Sequence, residues 1–573
     1  MLVRLRHYFS SGDLQLRLYI LATLTGLLAG ASIIVFRLLI DQVQISIFPS
    51  GLVEDFASVH WSWVIGLPVI GGLMVGLLFN GLDPQQRGTG VVHVIERLSY
   101  HEGRMPLANA VRQFIGAAIA LISGHSVGRE SPSVHLGAAS GSALGTNLEL
   151  PNNATRILVA SGAAAAIAAS FDTPIAGVIF AMEVIMMEYH IATFIPIILS
   201  SVSGAVLGRL VFEEPPFFGL VASPMQSLWE VPYIILLGLF VGLMAVWFIR
   251  SLSFFSGFIV KRAIWQRTTL AGLLVGLGGL LVPDVMGMSY NLINTAHLTE
   301  LAIPTLVLLL ILKLILSSAC VGLSIPGGLI GPTLVIGAAA GAILGHIGHA
   351  VFPELSSSIG FYAIIGMCAM MGATLKAPLA ALMALLELTS NPHIILPGML
   401  AIVFSSIVVF ELFKLDSAFL VLLRKRGLDY RNDPLSQALR RINVSKAMQV
   451  DFVILPPIIT REQAKQAKQA LENNPSWIVI EQENTKVLLL AADLALAVNE
   501  EAETELELLS IPASRKSLTK VSVNHSLDAA AALLAKSEAE ALYVTRRISP
   551  VEENIVGILT KESIEAQYQL TYN

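Results

Sequence analysis

The sequence predicts a polytopic all-α membrane protein made of two homologous halves with interrupted helices, followed by a smaller α/β domain. Three observations carry that prediction. The chain of 573 residues is 54% hydrophobic and only 13% charged, with a mean hydropathy of +0.71; a soluble domain carries nearer about 25% charge. The apolar part contains an internal duplication. The composition then changes: residues 17–423 are apolar with sparse charges, and residues 424–573 are rich in Glu, Lys, Gln and Asn, so the net charge of −5 averages two populations.

The first element is a short basic segment, residues 1–14, that runs straight into a long apolar stretch. No small-residue cleavage site precedes a mature domain, so no signal peptide is read. Arg4, Arg6 and Arg17 before the first span, and Arg424, Lys425 and Arg426 after the last, place both termini on the cytoplasmic side and imply an even number of crossings. Long apolar stretches lie near 17–47, 61–82, 107–123, 192–212, 231–260, 269–284, 301–323, 359–373 and 393–413. Shorter ones, broken by Gly or Pro, lie at 128–145, 154–170, 174–188, 327–348 and 376–389. Broken backbone at membrane depth must be buried in protein or line a wet cavity. Cys320 and Cys368 sit inside apolar stretches and read as ordinary buried small residues, not as a disulfide framework or thiolate site.

The duplication is direct. GRESPSVHLGAASGSALG (128–145) and GLIGPTLVIGAAAGAILG (328–345) are 200 residues apart and identical at eight of eighteen positions, without a gap. ASFDTPIAGVIFAMEV (169–184) is likewise matched by ATLKAPLAALMALLEL (373–388), with Pro174/Glu183 and Pro378/Glu387 both nine apart. The order is the same in each half. The membrane part therefore divides into repeats at 15–213 and 230–426, joined by a linker at 214–229. Duplicated halves with broken helices mark transport proteins, whose sites lie between the repeats at helix ends.

The chemistry follows from Gly128-Arg129-Glu130-Ser131-Pro132. Proline suits a first helical turn, so a helix begins here. Its leading N–H groups lack intrahelical partners and attract anions. Glu130 is an anion at that spot, and an ionisable group at membrane depth is a functional hypothesis by default. It can fill the place of a free anion and leave when protonated, which makes it a gate; the plainer reading is a helix-stabilising carboxylate paired with Arg129. The second copy, Gly328-Leu329-Ile330-Gly331-Pro332, has no carboxylate, so its N–H groups would remain open to an anion. A third turn, Gly88-Thr89-Gly90, offers a hydroxyl and further N–H groups. Helix ends bind an anion without the full charge of a buried Lys or Arg, which would hold it too tightly to pass. No metal-ligand cluster, Walker loop or nucleophile triad points to an enzyme.

At these residues the chain resembles the CLC family of chloride channels and chloride/proton antiporters. GRESPSVHLG is similar to the family's GREGP motif, GGLIGP (327–332) to GGxFxP, GTGVV (88–92) to GSGIP, and ASFDTPIAGVIFAMEV to the inner-glutamate segment; VPDVMGMSYNLI (282–293) also fits a family loop. The likeness covers essentially all of 15–426. It implies the CLC fold, two inverted-topology repeats of broken and tilted helices, and a homodimer with one chloride pore per subunit in the bilayer. No cofactor is required and no nucleic-acid partner is expected.

By the resemblance Glu130 is the external gating glutamate. Thr89 and Gly90, Arg129, Gly328, Leu329 and Ile330, and Phe419 in LDSAFLVLL line the anion path. Glu183 is the shared inner glutamate, with a structural role. Ser131 stands where the family has Gly, Thr89 and Val92 stand for its Ser and Pro, and Phe419 stands for a tyrosine whose hydroxyl touches chloride. Val184 replaces the inner proton-transfer glutamate of many antiporters. Since Val carries no proton, this favours a passive glutamate-gated chloride channel; the alternative is a secondary-active chloride/proton antiporter, and a third reading is a membrane sensor acting through its tail. His93, His125 and His135 lie near the motifs and read as packing residues that could tune a pH response.

The tail, 427–573, resembles a cytoplasmic CBS domain pair with units near 440–500 and 510–570. The second unit reads strand, amphipathic helix, strand, loop, strand. CBS pairs can hold adenine nucleotides through a hydroxyl residue and an Asp three positions on. Here the second unit keeps Thr560 and the first keeps Asp493, one half of the pattern in each, so a structural or dimerising tail is an equal reading.

Overall fold

A computed structural model of the chain describes residues 14–212, 225–294, 297–428 and most of 439–572. Arg4, Arg6 and most of the 214–229 linker lie outside the described residues. The chain forms two compact units, one of Met1–Leu148 with Thr155–Tyr430 and one of Glu149–Ala154 with Arg431–Asn573.

The first unit is helical, and among the described residues its α-helices come in two matching sets of eight. The first set is α1 (Leu14–Ile47), α2 (Trp61–Phe79), α3 (Gly90–Tyr100), α4 (Leu107–Ile122), α5 (Glu130–Asn147), α6 (Asn152–Phe171), α7 (Pro174–Phe180) and α8 (Ile191–Val211). The second is α9 (Val231–Gly257), α10 (Ile264–Leu281), α11 (Tyr290–Asn294), α12 (Ile303–Gly322), α13 (Ile330–Val351), α14 (Ile359–Leu375), α15 (Pro378–Thr389) and α16 (Ile395–Ser406). A last helix, α17 (Ala418–Lys425), follows. The helix pairs α3/α11 and α5/α13 begin 200 residues apart, the offset of the sequence duplication. Among the described residues eight helices are long and apolar enough to cross a membrane.

Local sequence sets the breaks. α7 and α15 each open on proline, Pro174 and Pro378, where a missing N–H costs nothing. α7 then widens into a π-turn over Ala181–Met186 and ends at Met187 in the left-handed region, and α16 likewise widens into a π-turn over Ile407–Leu412. Helices α5 and α6 cross so closely that a Cβ on Gly137 would strike the Gly162 carbonyl, and α13 and α14 repeat the crossing at Gly337 and Gly366. The shared glycines of the duplicated motif thus let backbones touch.

Two further relationships tie the halves together. Gly128 and Gly328 form an antiparallel bridge, exchanging N–H to O bonds of 2.9 and 2.6 Å. The Glu183 carboxylate accepts from the N–H groups of Leu379 (3.3 Å) and Ala380 (2.8 Å) at the start of α15, while the Glu387 carboxylate accepts from Ile175 and Ala176, both 2.8 Å, at the start of α7.

The second unit is α/β. A six-stranded sheet runs in the order β1-β3-β4-β6-β7-β8. β1 (Phe452–Leu455) lies parallel to β3 (Trp477–Gln482), which is antiparallel to β4 (Thr485–Leu490); β6 (Arg515–Ser522) lies parallel to β7 (Ala541–Arg547), which is antiparallel to β8 (Glu553–Thr560). The two triplets repeat one topology and join through an antiparallel β4–β6 pairing. Each is followed by a helix at its end, Ala491–Glu500 and Lys561–Tyr572, and Leu527–Lys536 lies between β6 and β7. This is the arrangement expected of a CBS pair. Ile459, Ile478, Ile480 and Leu489 fill the first triplet's core, and Val521, Leu542, Val544 and Leu559 the second's. A short ladder pairs β2 (Ile458–Thr460) with β5 (Glu505–Glu507).

Candidate functional site

The duplicated motifs meet at the Gly128–Gly328 bridge, and Glu130 stands on it. Its side chain is fully buried. The carboxylate lies against the α-carbons of Gly128 and Gly328, where any side chain would overlap it. A methyl group at Gly331 would come within 2.8 Å of Glu130 Oε1. The Gly331 N–H also faces the carboxylate. Three glycines, two from the second repeat, therefore make a cradle that the carboxylate fills. The α13 N-terminus contributes the positive pole expected to hold an anion.

One expectation is corrected here. The N–H of Gly328 is not open to an anion, because it donates to the Gly128 carbonyl at 2.6 Å. Antiparallel pairing of the repeats uses it. Leu329, at 1% exposure, and Ile330, the first residue of α13, lie next in line, and Thr333 closes the turn by donating its N–H to Leu329 O. The Arg129 guanidinium donates to the Ser170 carbonyl at 3.0 Å and lies 5.9 Å from the centre of the Tyr290 ring.

A second correction concerns the Gly88–Gly90 turn. The Gly90 N–H donates to both Gln113 Oε1 (2.8 Å) and His135 Nδ1 (3.0 Å), and the Val91 N–H donates to Ser131 Oγ (3.0 Å). Side chains from α4 and α5 already hold the leading amides of α3, so this turn offers the half-buried Thr89 through its hydroxyl. Because His135 Nδ1 accepts, its proton sits on Nε2. The His93 ring stacks on His135, centroids 5.1 Å apart, and its Nε2 accepts from Arg97 at 3.2 Å. His125 lies elsewhere, bonded to Ser123 Oγ at 3.0 Å. All three histidines are built into packing.

Phe419 is buried in the first turn of α17, and α17 packs against α3, the helix that opens just after Thr89. Glu183 is a helix cap, as described above. Val184 beside it is buried in the apolar core. In the tail, Thr560 is buried and its hydroxyl bonds Ser563 Oγ (3.1 Å) and accepts the Ser563 N–H (3.3 Å), a local turn at the start of the last helix; Asp493 lies half-buried in the first turn of the helix after β4.

The structure adds residues that the motifs did not reveal. Tyr290 donates its phenol proton to Glu130 Oε1. Gln113 supports the Thr89 turn together with the motif residue Ser131. Lys313 is fully buried and donates to Val285 O (3.1 Å), Gly287 O (2.8 Å) and Ser289 Oγ (2.6 Å), fixing the loop that ends at Tyr290. The 200-residue offset sets Thr89 on Ser289, Gly90 on Tyr290 and Gln113 on Lys313, but it does not disclose which side chains meet.

A family model described as voltage gated chloride channel matches residues 71–409. A ClcB-like chloride channel protein of Ralstonia nicotianae is 31% identical over 390 residues, 66% of this chain and 91% of that one. An H(+)/Cl(−) exchange transporter, ClcA, of Vibrio cholerae is 30% identical over 336 residues, 56% of this chain and 70% of that one. Among solved structures, a slow cyanobacterial Cl−/H+ antiporter superposes with a TM-score of 0.63 at 22% identity over 72% of this chain and 98% of its own. A eukaryotic CLC transporter superposes with a TM-score of 0.60 at 20% identity over 96% of this chain and 98% of its own. At these identities the structural likeness speaks to the fold, and the second match extends it into the tail.

Proposed function

The chain belongs to the voltage gated chloride channel family, and from that premise we propose that it is a multi-pass membrane transporter that exchanges chloride for protons, with Glu130 both closing the anion path and taking up the proton. The observation that carries this reading is the buried Glu130 carboxylate in the glycine cradle at the start of α13. A carboxylate there competes with chloride for the same positive pole. Protonation removes its charge and its claim on the site.

Anion passage runs past the inner Thr89 turn and the α13 N-terminus, with Leu329, Ile330 and Phe419 as its lining. The relative from Vibrio cholerae is named an exchange transporter, which weighs toward coupling. Passive conduction, the reading that Val184 favours from sequence, keeps one observation in its support: position 184 is a buried apolar residue with no proton to give. In the exchange reading protons reach Glu130 by another inner route. Apolar residues on the outer faces of α8, among them Ile195, Val202 and Val206, suit lipid or a second copy, and a homodimer with one path per subunit and cytoplasmic termini is the assembly proposed.

The test is simultaneous recording of chloride and proton flux from proteoliposomes of the full chain. Chloride-driven uphill proton movement at a fixed ratio is expected. Dissipation of a chloride gradient with no linked proton movement would leave the passive reading standing instead.

A further inference from the structure

We propose that Tyr290 is a positioning residue for the gate: its phenol holds the Glu130 carboxylate in the anion path, and parting of that bond is a step of every turnover. The inference rests on Glu130 as the gate and adds what holds it shut. Tyr290 is 4% exposed, and its hydroxyl donates to Glu130 Oε1. Three neighbours fix the ring. Phe171 meets it edge-on with centroids 6.1 Å apart, the Arg129 guanidinium lies 5.9 Å from its centre, and Gly331 leaves room for its tip, since a methyl group there would come within 2.6 Å of the hydroxyl.

The backbone behind the ring is equally constrained. Tyr290 opens α11, and the loop before it is tied from several sides. Lys313 holds two of its carbonyls and the Ser289 hydroxyl. Glu54 Oε1 accepts the Met288 N–H at 2.6 Å, and Ser289 Oγ donates to Asp284 O (2.5 Å) and Met286 O (3.1 Å). Asn291 Nδ2 anchors to Val53 O at 2.9 Å. A phenol on so fixed a mount is a stationary latch, and the carboxylate is the moving part. Charge-assisted O–H to carboxylate bonds are among the stronger ones, so the latch biases Glu130 toward its seated position. When the carboxylate leaves, the hydroxyl and the α13 amides face the space it vacates, where an anion meets the same donors.

The repeat gives the device a logic. Ser289-Tyr290 stands 200 residues after Thr89-Gly90, at the start of the matching helix. One copy of the turn offers a hydroxyl toward the inner anion site. The other offers a hydroxyl to the carboxylate that takes the anion's place.

The experiment is Tyr290→Phe in the full chain, reconstituted and read by paired chloride and proton flux. Chloride turnover is expected to rise about tenfold, the factor equivalent to ~1.4 kcal/mol, and the proton-to-chloride ratio to fall. Unchanged turnover and ratio would overturn the latch. In a Glu130→Gln background the same substitution is expected to add nothing, whereas a merely structural tyrosine would change both backgrounds alike, and an equal change in both sinks the idea. Gly331→Ala, which crowds the hydroxyl and Oε1 together, is a second variant with the same expected gain confined to the Glu130 background. If the unaltered protein moves chloride without protons, the exchange reading fails alone, and the chloride response to Tyr290→Phe still decides the latch.

Discussion

Glu183 and Glu387 each cap the helix that leads to the other. The Glu183 carboxylate closes the N-terminus of α15, which carries Glu387, and Glu387 closes α7, whose continuation carries Glu183. A carboxylate on two leading N–H groups is a helix cap supplied from the opposite repeat.

The two positions should therefore respond alike. Glu183→Ala and Glu387→Ala are each expected to cost about 1 kcal/mol, the usual worth of a cap, and to lower the melting temperature in detergent by similar amounts. A large loss for one and none for the other would separate their roles.

With the proposed gating role, Glu130 is expected to set the sign of the pH response. Below its folded-state titration the carboxyl is neutral and is no longer drawn to the α13 amides, so chloride flux is expected to rise as pH falls. Glu130→Gln mimics that neutral form at every pH. Chloride efflux from liposomes carrying it should be fast, flat with pH and free of proton movement.

The Gly90 amide has two acceptors, Gln113 and His135. Gln113→Leu or His135→Phe leaves one acceptor and should change little. Together they leave a buried N–H unmet, at a cost of about 1–3 kcal/mol, and should displace the Thr89 turn. Thermal melting and chloride-over-nitrate preference, measured on singles and double, read this non-additivity directly.

Gly328→Ala places a methyl group against the Glu130 carboxylate and within 2.9 Å of the Gly128 carbonyl. Overpacking of this kind costs about 1–3 kcal/mol. The expected result is a less stable protein whose flux has lost part of its pH dependence, because the carboxylate can no longer seat. Full pH dependence at unchanged stability would count against the cradle.

Much of this was legible in the residues. The duplicated GRESP and GLIGP segments gave the two repeats, and Glu130 stood out because a carboxylate is costly in an apolar run. Pro174 and Pro378, matched in the repeat, turn out to be the first residues of α7 and α15. What stayed hidden was pairing between distant parts of the chain. Nothing local in Gly328 says that its N–H will meet Gly128, nor in Gly90 that Gln113 and His135 will reach it. Tyr290 reads as one more aromatic residue in an apolar loop, and only the fold brings its hydroxyl to Glu130. Lys313 is a lone charge in the apolar run of α12, and only the folded loop supplies the carbonyls that hold it.

The Gly128–Gly328 bridge also bears on how access alternates. Many two-repeat carriers rock one half against the other around a fixed site. Here two backbone bonds rivet the halves together beside Glu130. Wide parting at that point would shear the rivet. In the proposed cycle the excursion falls to the Glu130 side chain, closer to a turnstile than to a pair of doors.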